Sequence, residues 1–427
     1  MSAPLADEAD ALRAWADGRF GPLGTVRRLR LGPPEPPWWY CGAELARVPL
    51  GNRFSQERLT SGAAALDPHE AVIRAIGEGI ERYSALTAPI SGELATLREG
   101  GFADRWPVCA ADEPCPPAFR APPLDTPLTQ IRAQRLSDGS AALVPASIAH
   151  LHFRPTLDEP TISTPISTGL AFGRDTARAI WSGLCEVAER DAIMAMWWLK
   201  ARLPEIDGTG AGVPEALAER LALLTRAGLQ ARLFDMAHDF RIPSVFCVLI
   251  GPRFPFVVVG AGCDADPTRA CIKAIDETIA LRYYLRDRGA IQPPPIPQAV
   301  QRLEDHALYY ASGQRLDAFS FLLDRQTPPQ PFAEFAAGDW WQQPPDMAAL
   351  AQFATERECD GLTALWLDLT GPDTLGLGRV VKVIVPEMLP MSADHATRWL
   401  GTSRLLARAG HREARAGAFN PDPHPFP

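Results

Sequence analysis

Asp67, Asp175 and Asp266 each stand at the same distance ahead of a glutamate, respectively Glu78, Glu186 and Glu277. Aligned on these residues, Asp67-Pro68-His69-Glu70-Ala71, Asp175-Thr176-Ala177-Arg178-Ala179 and Asp266-Pro267-Thr268-Arg269-Ala270 also share an alanine at one offset. An aspartate so placed accepts from the free N–H groups of a first helical turn. Pro68 and Pro267 fall at the first helical position, where a missing N–H costs nothing. Glu70 is predicted to complete a capping-box-like pair with Asp67. A glycine-containing or small-residue turn is expected before each cap. The chain is thus predicted to launch three capped helices, each with a carboxylate about three turns in.

Residues three and four apart share a helix face. Arg74, Glu78, Glu81 and Arg82 line up on the first helix, and Ser182, Glu186, Glu189 and Arg190 on the second. Lys273 and Glu277 line up on the third, where no second glutamate follows. Glu78 to Arg82 and Glu186 to Arg190 both read E-x-x-E-R. One such stretch alone reads as a solvated face whose ion pairs are worth about 0.2–0.5 kcal/mol each. Here Ile73, Ile76, Ile80, Ile180, Leu184 and Val187 leave only a narrow polar stripe. Buried carboxylates need partners. Mg²⁺ is one, held by carboxylate and phosphate oxygens, with arginines meeting the phosphate. Carboxylates, Mg²⁺ and arginines without a Gly-rich Walker loop suggest a nucleotide site of unusual type.

The rest of the chain supports these helices. Helices are expected over 66–88, 175–200, 214–227 and 267–286, and a short one within 1–20. Short apolar runs bounded by Pro or Gly predict strands at 229–235, 243–250, 256–260, 364–369 and 380–385, and one ending near Ala146. The proline runs at 33–37 and 293–297 exclude helix. Residues 105–125 and 325–345 read as loop. The fold class is α/β (α+β), with long helices packed on mixed sheets. No shift of composition divides the chain, so residues 1–20 stand as an N-terminal segment and 21–427 as one domain.

The composition narrows the function. With 427 residues, 46% of them hydrophobic, the chain can bury a large core. A formal net charge of −9 argues against nucleic-acid binding. No apolar run is long enough for a membrane span, and the N-terminus lacks a secretory pattern, so a cytoplasmic location is expected. The eight cysteines contain no C-x-x-C and are expected to be reduced thiols.

Taken together, these residues resemble the YcaO family, ATP-dependent enzymes that activate peptide-bond amides. The resemblance covers the chain from about residue 20 to its end. It rests on Ala75 through Ser84, Ser182 through Asp191, and Lys273 through Glu277. The family pattern is S-x-x-x-E-x-x-E-R twice, then Q-x-x-x-E. The resemblance implies that Glu78, Glu81, Glu186, Glu189 and Glu277 bind Mg²⁺. It implies that Ser182, Arg82 and Arg190 contact ATP or organise its phosphates. The chain departs from the pattern at Arg74, where the family has Ser, and at Lys273, where it has Gln. Ala63-Ala64-Ala65 replaces a Gly-Lys-Gly. Arg74 and Lys273 are therefore candidates to restore the lost positive charge at ATP.

The chain ends Asn420-Pro421-Asp422-Pro423-His424-Pro425-Phe426-Pro427. Pro421, Pro423, Pro425 and Pro427 resemble the P-x-P-x-P end of azoline-forming YcaO cyclodehydratases, which implies a catalytic role. Alternating prolines favour an extended, low-entropy rod that can insert into a site with its carboxylate, and His424 is a candidate for proton transfer there. The resemblance implies a cyclodehydratase that phosphorylates backbone amide oxygens of a ribosomal precursor peptide to form thiazoline or oxazoline rings. It also implies a separate leader-peptide-recognising partner of the E1-like or ThiF-like kind, and leaves room for a homodimer. The alternatives are a thioamide- or macroamidine-forming relative and a catalytically weak docking or scaffold subunit.

Overall fold

The three capped helices form, and each follows directly on a strand. The computed structural model describes the chain apart from residues 1–2, 14, 17–20, 51–52, 55–59, 102–104, 152, 157, 237–239, 288–290, 325–326, 342–344 and 411–414. Parts of the segment 1–20 and of the stretch 325–345 therefore lie outside the described residues. Strand Thr60–Ala65 runs into helix Pro68–Thr87, Leu170–Gly173 into Thr176–Leu199, and Val257–Cys263 into Pro267–Asp287. These are the first, second and third motif helices. The small-residue segments ahead of the caps are thus strands, not turns. Gly173 permits one of these junctions, because a Cβ there would lie 2.5 Å from the Ala179 backbone nitrogen.

The caps work as the sequence implies, with one exception. Asp67 accepts from the His69 and Glu70 amides, Asp175 from Arg178 and Asp266 from Thr268. The reciprocal half of the capping box is not made. Glu70 instead accepts from Arg74 Nη2 at 2.5 Å, one turn on.

Each of the three strands lies at the edge of a different sheet. Thr60–Ala65 edges a three-stranded antiparallel sheet with Trp39–Leu45 and Leu23–Arg30. Leu170–Gly173 edges a six-stranded sheet, where Arg379–Ile384, Leu365–Asp368 and Leu128–Arg135 follow in turn. Val257–Cys263 edges a five-stranded sheet and is followed by Ser244–Ile250, Gln230–Asp235, Glu205–Asp207 and, in parallel, Gln330–Pro331. The last strand and helix Phe332–Ala336 fall where a loop is predicted. A strand of two residues that ends in proline carried too little signal there.

Besides its own strand, each motif helix packs on the strand of another repeat. The first helix meets Leu170–Gly173, the second meets Val257–Cys263, and the third meets Thr60–Ala65. The three repeats therefore close a ring. Arg74 ties the ring at one joint, donating to Asp276 of the third helix at 3.0 Å. Asp276 is buried and also accepts from Trp38 Nε1 and Arg220 Nε.

The second motif helix is the most enclosed of the three. Its C-terminal half, Ile193 to Trp198, is buried in a core shared with Phe246, Val248, Val257 and Val259. Helix Ala3–Arg13 packs on the first motif helix, matching the short helix expected within 1–20. The eight cysteines are all free thiols, and seven of them are buried. Among the described residues no helix is long and apolar enough to cross a membrane.

Candidate active site

An edge strand leaves every second N–H without a ladder partner. The motif glutamates take up those donors. Glu78 accepts from the Gly62 amide at 3.0 Å, Glu81 from Phe172 at 2.8 Å and Glu186 from Gly169 at 2.9 Å. The Ala261 amide lies toward Glu277 and works to lower its pKa. Three sheet edges thus converge on one set of carboxylates. Glu81 joins repeats directly, since it belongs to the first helix and Phe172 to the second repeat. Gly169 adopts φ +83°, a left-handed conformation that favours glycine. It offers its amide to Glu186 while its carbonyl accepts from Val383 at 2.7 Å.

The cluster is partly open to solvent. Glu189 is buried, Glu78, Glu81 and Glu186 are half-buried, and Glu277 and Ser182 are exposed. Burial holds the Glu81 carboxyl well above the usual range, and the charges of Glu186 and Glu78 add to it. Burial, then the charge of Glu277, does the same to Glu189. Glu186 is raised, again chiefly by burial. Water reaches Glu277, yet the surrounding protein displaces enough bulk solvent to push it up to about 7. Carboxylates raised by one another's charge accept divalent cations readily, because a cation reverses the sign of the local field.

Among the described residues no three ligating side chains already surround one point. Mg²⁺ is commonly held by one or two carboxylates together with phosphate and water. The donor set fits Mg²⁺ bound together with a nucleotide.

The arginines divide by engagement. Arg82 donates to Glu78 at 2.5 Å and is about one-third exposed. Arg190 stands 3.6 Å from Glu186 and 3.9 Å from Glu189, and donates to Met391 Sδ at 3.0 Å. Its Nε is buried without a hydrogen-bond partner, a donor suited to an incoming anion. The two departures from the family pattern are already partnered within the protein. Arg74 holds Glu70 and Asp276, and Lys273 Nζ holds Asp264 at 2.7 Å and the Cys263 carbonyl at 3.1 Å. Either would have to leave a carboxylate to reach a phosphate.

The C-terminal prolines pack inside the molecule. Pro423, His424, Pro425 and Phe426 are buried, Pro427 is half-buried and Pro421 is exposed. Trp197 Nε1 donates to the Asp422 carbonyl and Tyr310 Oη to that of Pro423. His306 Nδ1 bonds the His424 carbonyl at 2.7 Å, and the two imidazoles stack at 3.7 Å. His424 Nε2 faces the Ser392 carbonyl, and burial keeps its pKa well below 6.5. The ring therefore helps fix the tail. Phe426 lies under the Arg190 guanidinium at 4.3 Å, which brings the tail to the second motif helix.

Sequence reasoning missed Lys382. It sits in the middle of the strand Arg379–Ile384, is 3% exposed and donates to the Ile166 carbonyl at 2.7 Å. Its sequence signal was a lone charge in Val380-Val381-Lys382-Val383-Ile384-Val385. The amides of Gly62, Gly169, Phe172 and Ala261 were also missed, and a backbone amide leaves no residue-type signal.

Residues 62–389 match the family model described as YcaO cyclodehydratase, ATP- and Mg²⁺-binding. An uncharacterized protein in the tfuA 3' region of Rhizobium leguminosarum bv. trifolii is 31% identical over 259 residues, 57% of this chain and 59% of that protein. A solved structure described as a heterocyclase in complex with substrate and cofactor superposes with TM-score 0.78 at 19% identity, over 99% of this chain and 57% of that one. YcaO from Methanopyrus kandleri, bound with AMPPCP and Mg²⁺, superposes with TM-score 0.64 at 19% identity, over 90% of each chain. The chain thus spans less than two-thirds of the length of the relative and of the heterocyclase it matches. The family model overlaps all five motif glutamates, and on that match the chain belongs to the YcaO family of ATP- and Mg²⁺-binding proteins.

Proposed function

We propose that this protein is an ATP-dependent cyclodehydratase acting on a ribosomally made peptide. The single observation that carries this reading is the convergence of Glu78, Glu81, Glu186 and Glu277 on three sheet edges, with the buried Arg190 Nε left without a hydrogen bond beside them. Phosphoryl transfer needs positioning and neutralised charge more than protein nucleophiles. Glu78, Glu81, Glu186, Glu189 and Glu277 would hold Mg²⁺. When bound, the ions supply charge neutralisation at the triphosphate. Arg190 and Arg82 face the phosphates, and Ser182 lies at the open rim on the same helix face as Glu186. Arg74 and Lys273 serve the site indirectly, by fixing the third helix and its strand.

In the reaction, a Cys, Ser or Thr side chain of the peptide gives up its S–H or O–H proton to solvent and adds to the preceding backbone carbonyl. The carbonyl π pair moves to oxygen, which takes the γ-phosphoryl group as the β–γ bridging bond breaks and ADP leaves. The nitrogen lone pair then expels phosphate, and loss of the N–H proton leaves the C=N of a thiazoline or oxazoline. The peptide thereby loses the elements of water, the oxygen departing within the phosphate and the two hydrogens as protons. A partner that binds the leader peptide would present the substrate. Pro421, Pro423, Pro425 and Pro427 support azoline formation over thioamide or macroamidine chemistry, since the tail packs against Arg190 through Phe426.

The test incubates the protein with ATP, Mg²⁺, the precursor peptide and the partner, and follows ADP and peptide mass. Peptide-dependent ADP and the loss of one water mass per ring are expected. Neither would appear for a scaffold subunit. Deleting Pro425 to Pro427 is expected to slow ring formation strongly while leaving the circular dichroism spectrum unchanged. An unaffected rate would remove the tail from the mechanism.

A further inference from the structure

Beside the carboxylate cluster lies a cavity with apolar walls. Ile148, Ile162, Ile166, Pro386 and Met388 are among its lining, and Lys382 is the single charged side chain lining it among the described residues. Two lining residues connect it to the site. Val187 follows Glu186 in the second motif helix, and Met391 accepts from Arg190. Lys382 lies on an inner strand, directly between Leu367 and Leu170 of its neighbours. Thr168 Oγ1 lines the same cavity and is buried without a partner.

A lysine in such a wall costs stability. Replacing a buried ion by an apolar side chain of similar shape is commonly neutral or stabilising. Lys382 has three donors, and the Ile166 carbonyl is the one hydrogen-bond acceptor it meets among the described residues. Burial lowers its pKa to about 8, against the charge of Glu186. A cation and a free hydroxyl lining an apolar cavity, next to a phosphoryl-transfer site, suit a substrate that carries an apolar group and an oxygen gaining negative charge.

We propose that this cavity receives the apolar side chain of the peptide residue whose carbonyl is activated, and that Lys382 donates a hydrogen bond to that carbonyl oxygen. This rests on the cyclodehydratase reading and adds to it a specificity subsite and a catalytic residue. In the step, the nucleophile loses its proton to solvent, the nucleophile–carbon bond forms and the π pair moves to the oxygen. The Lys382 N–H stabilises the oxygen until it takes the γ-phosphoryl group, and Lys382 keeps its proton throughout.

The experiment compares the full chain with Lys382→Met, using ATP, the precursor peptide and the partner. The variant keeps the side-chain stem and removes the charge. Its melting temperature is expected to be unchanged or higher, and its affinity for Mg²⁺·ATP unchanged. Its peptide-dependent kcat is expected to fall about a hundredfold or more, the scale for loss of one oxyanion donor. A second arm uses the unmodified protein, so it stands whether or not the variant folds. Replacing an apolar residue before the cyclised position of the peptide by Asp is expected to raise the peptide KM and leave the KM for ATP in place. A Lys382→Met enzyme with full kcat, or one that loses Mg²⁺·ATP affinity in proportion to turnover, overturns the assignment, the second marking Lys382 as a counterion to Glu186. So does indifference of KM to the Asp peptide. If the unmodified protein turns over no peptide, the cyclodehydratase reading itself has failed, and the subsite goes with it.

Discussion

At the residue scale, the glutamates are asymmetric. Glu78 and Glu186 each have an arginine one turn away and a strand amide, whereas Glu189 is buried and faces Arg190 only at 3.9 Å. Glu189 is thus the carboxylate with least internal compensation and most to gain from a cation. Glu189→Ala is expected to cut peptide-dependent ADP release about a hundredfold or more, as loss of a charge-stabilising group does. It should also leave the fold intact or raise its stability, since a costly buried group is removed. Steady-state kinetics and a thermal melt check the two halves. The residue types and spacing of this set were readable in sequence, because i, i+3 and i+4 neighbours must share a face. What Arg74 does was not. Its position beside Glu78 is helical geometry, but its partner Asp276 lies on another helix, and only packing brings the two together.

At the scale of elements, the caps and the tail carry the predictions. Asp175 accepts from the Arg178 amide at 2.8 Å and opens the most buried helix. Asp175→Ala is expected to cost about 1 kcal/mol of stability, measurable by denaturant unfolding. The tail is locked by His306, His395 and His424, whose Nε2 or Nδ1 atoms meet backbone carbonyls. Burial lowers both His306 and His395 from 6.5 to about 4. Between those values the unfolded chain binds protons that the folded one does not, so stability rises with pH there. Their contribution is therefore complete above pH 6.5 and is lost as pH falls toward 4. Melting temperatures between pH 4 and 7 should show that loss, and His306→Gln should flatten it. Most long elements were legible from apolar periodicity and caps. Strands Thr60–Ala65 and Leu170–Gly173 were not, since small residues and four-residue length give a weak β signal.

At the scale of the whole molecule, three sheets meet through glutamates that bridge helix and strand. Each edge strand is completed by carboxylates from the motif helices rather than by another strand. Binding cations and triphosphate at the glutamate cluster should therefore stabilise all three repeats together. Mg²⁺·ATP at a hundredfold excess over its Kd is expected to add about 2.7 kcal/mol, by mass action. A differential scanning experiment should show one transition moving upward, and chelation of Mg²⁺ should abolish the shift. Two separately moving transitions would mean that the repeats do not respond as a unit.

The sequence by itself determined the three capped helices, the carboxylate stripes and the proline tail. These follow from local rules: an aspartate ahead of a first turn, a period of 3.6 residues, a ring that restricts its own backbone. Tertiary structure decided where the stripes point. It set the ring of repeats, the partnering of Arg74 and Lys273, the burial of Pro423 to Phe426 and the place of Lys382 between a cavity and Glu186. Those depend on contacts between residues far apart in the chain. No local spacing encodes which sheet edge a glutamate will meet.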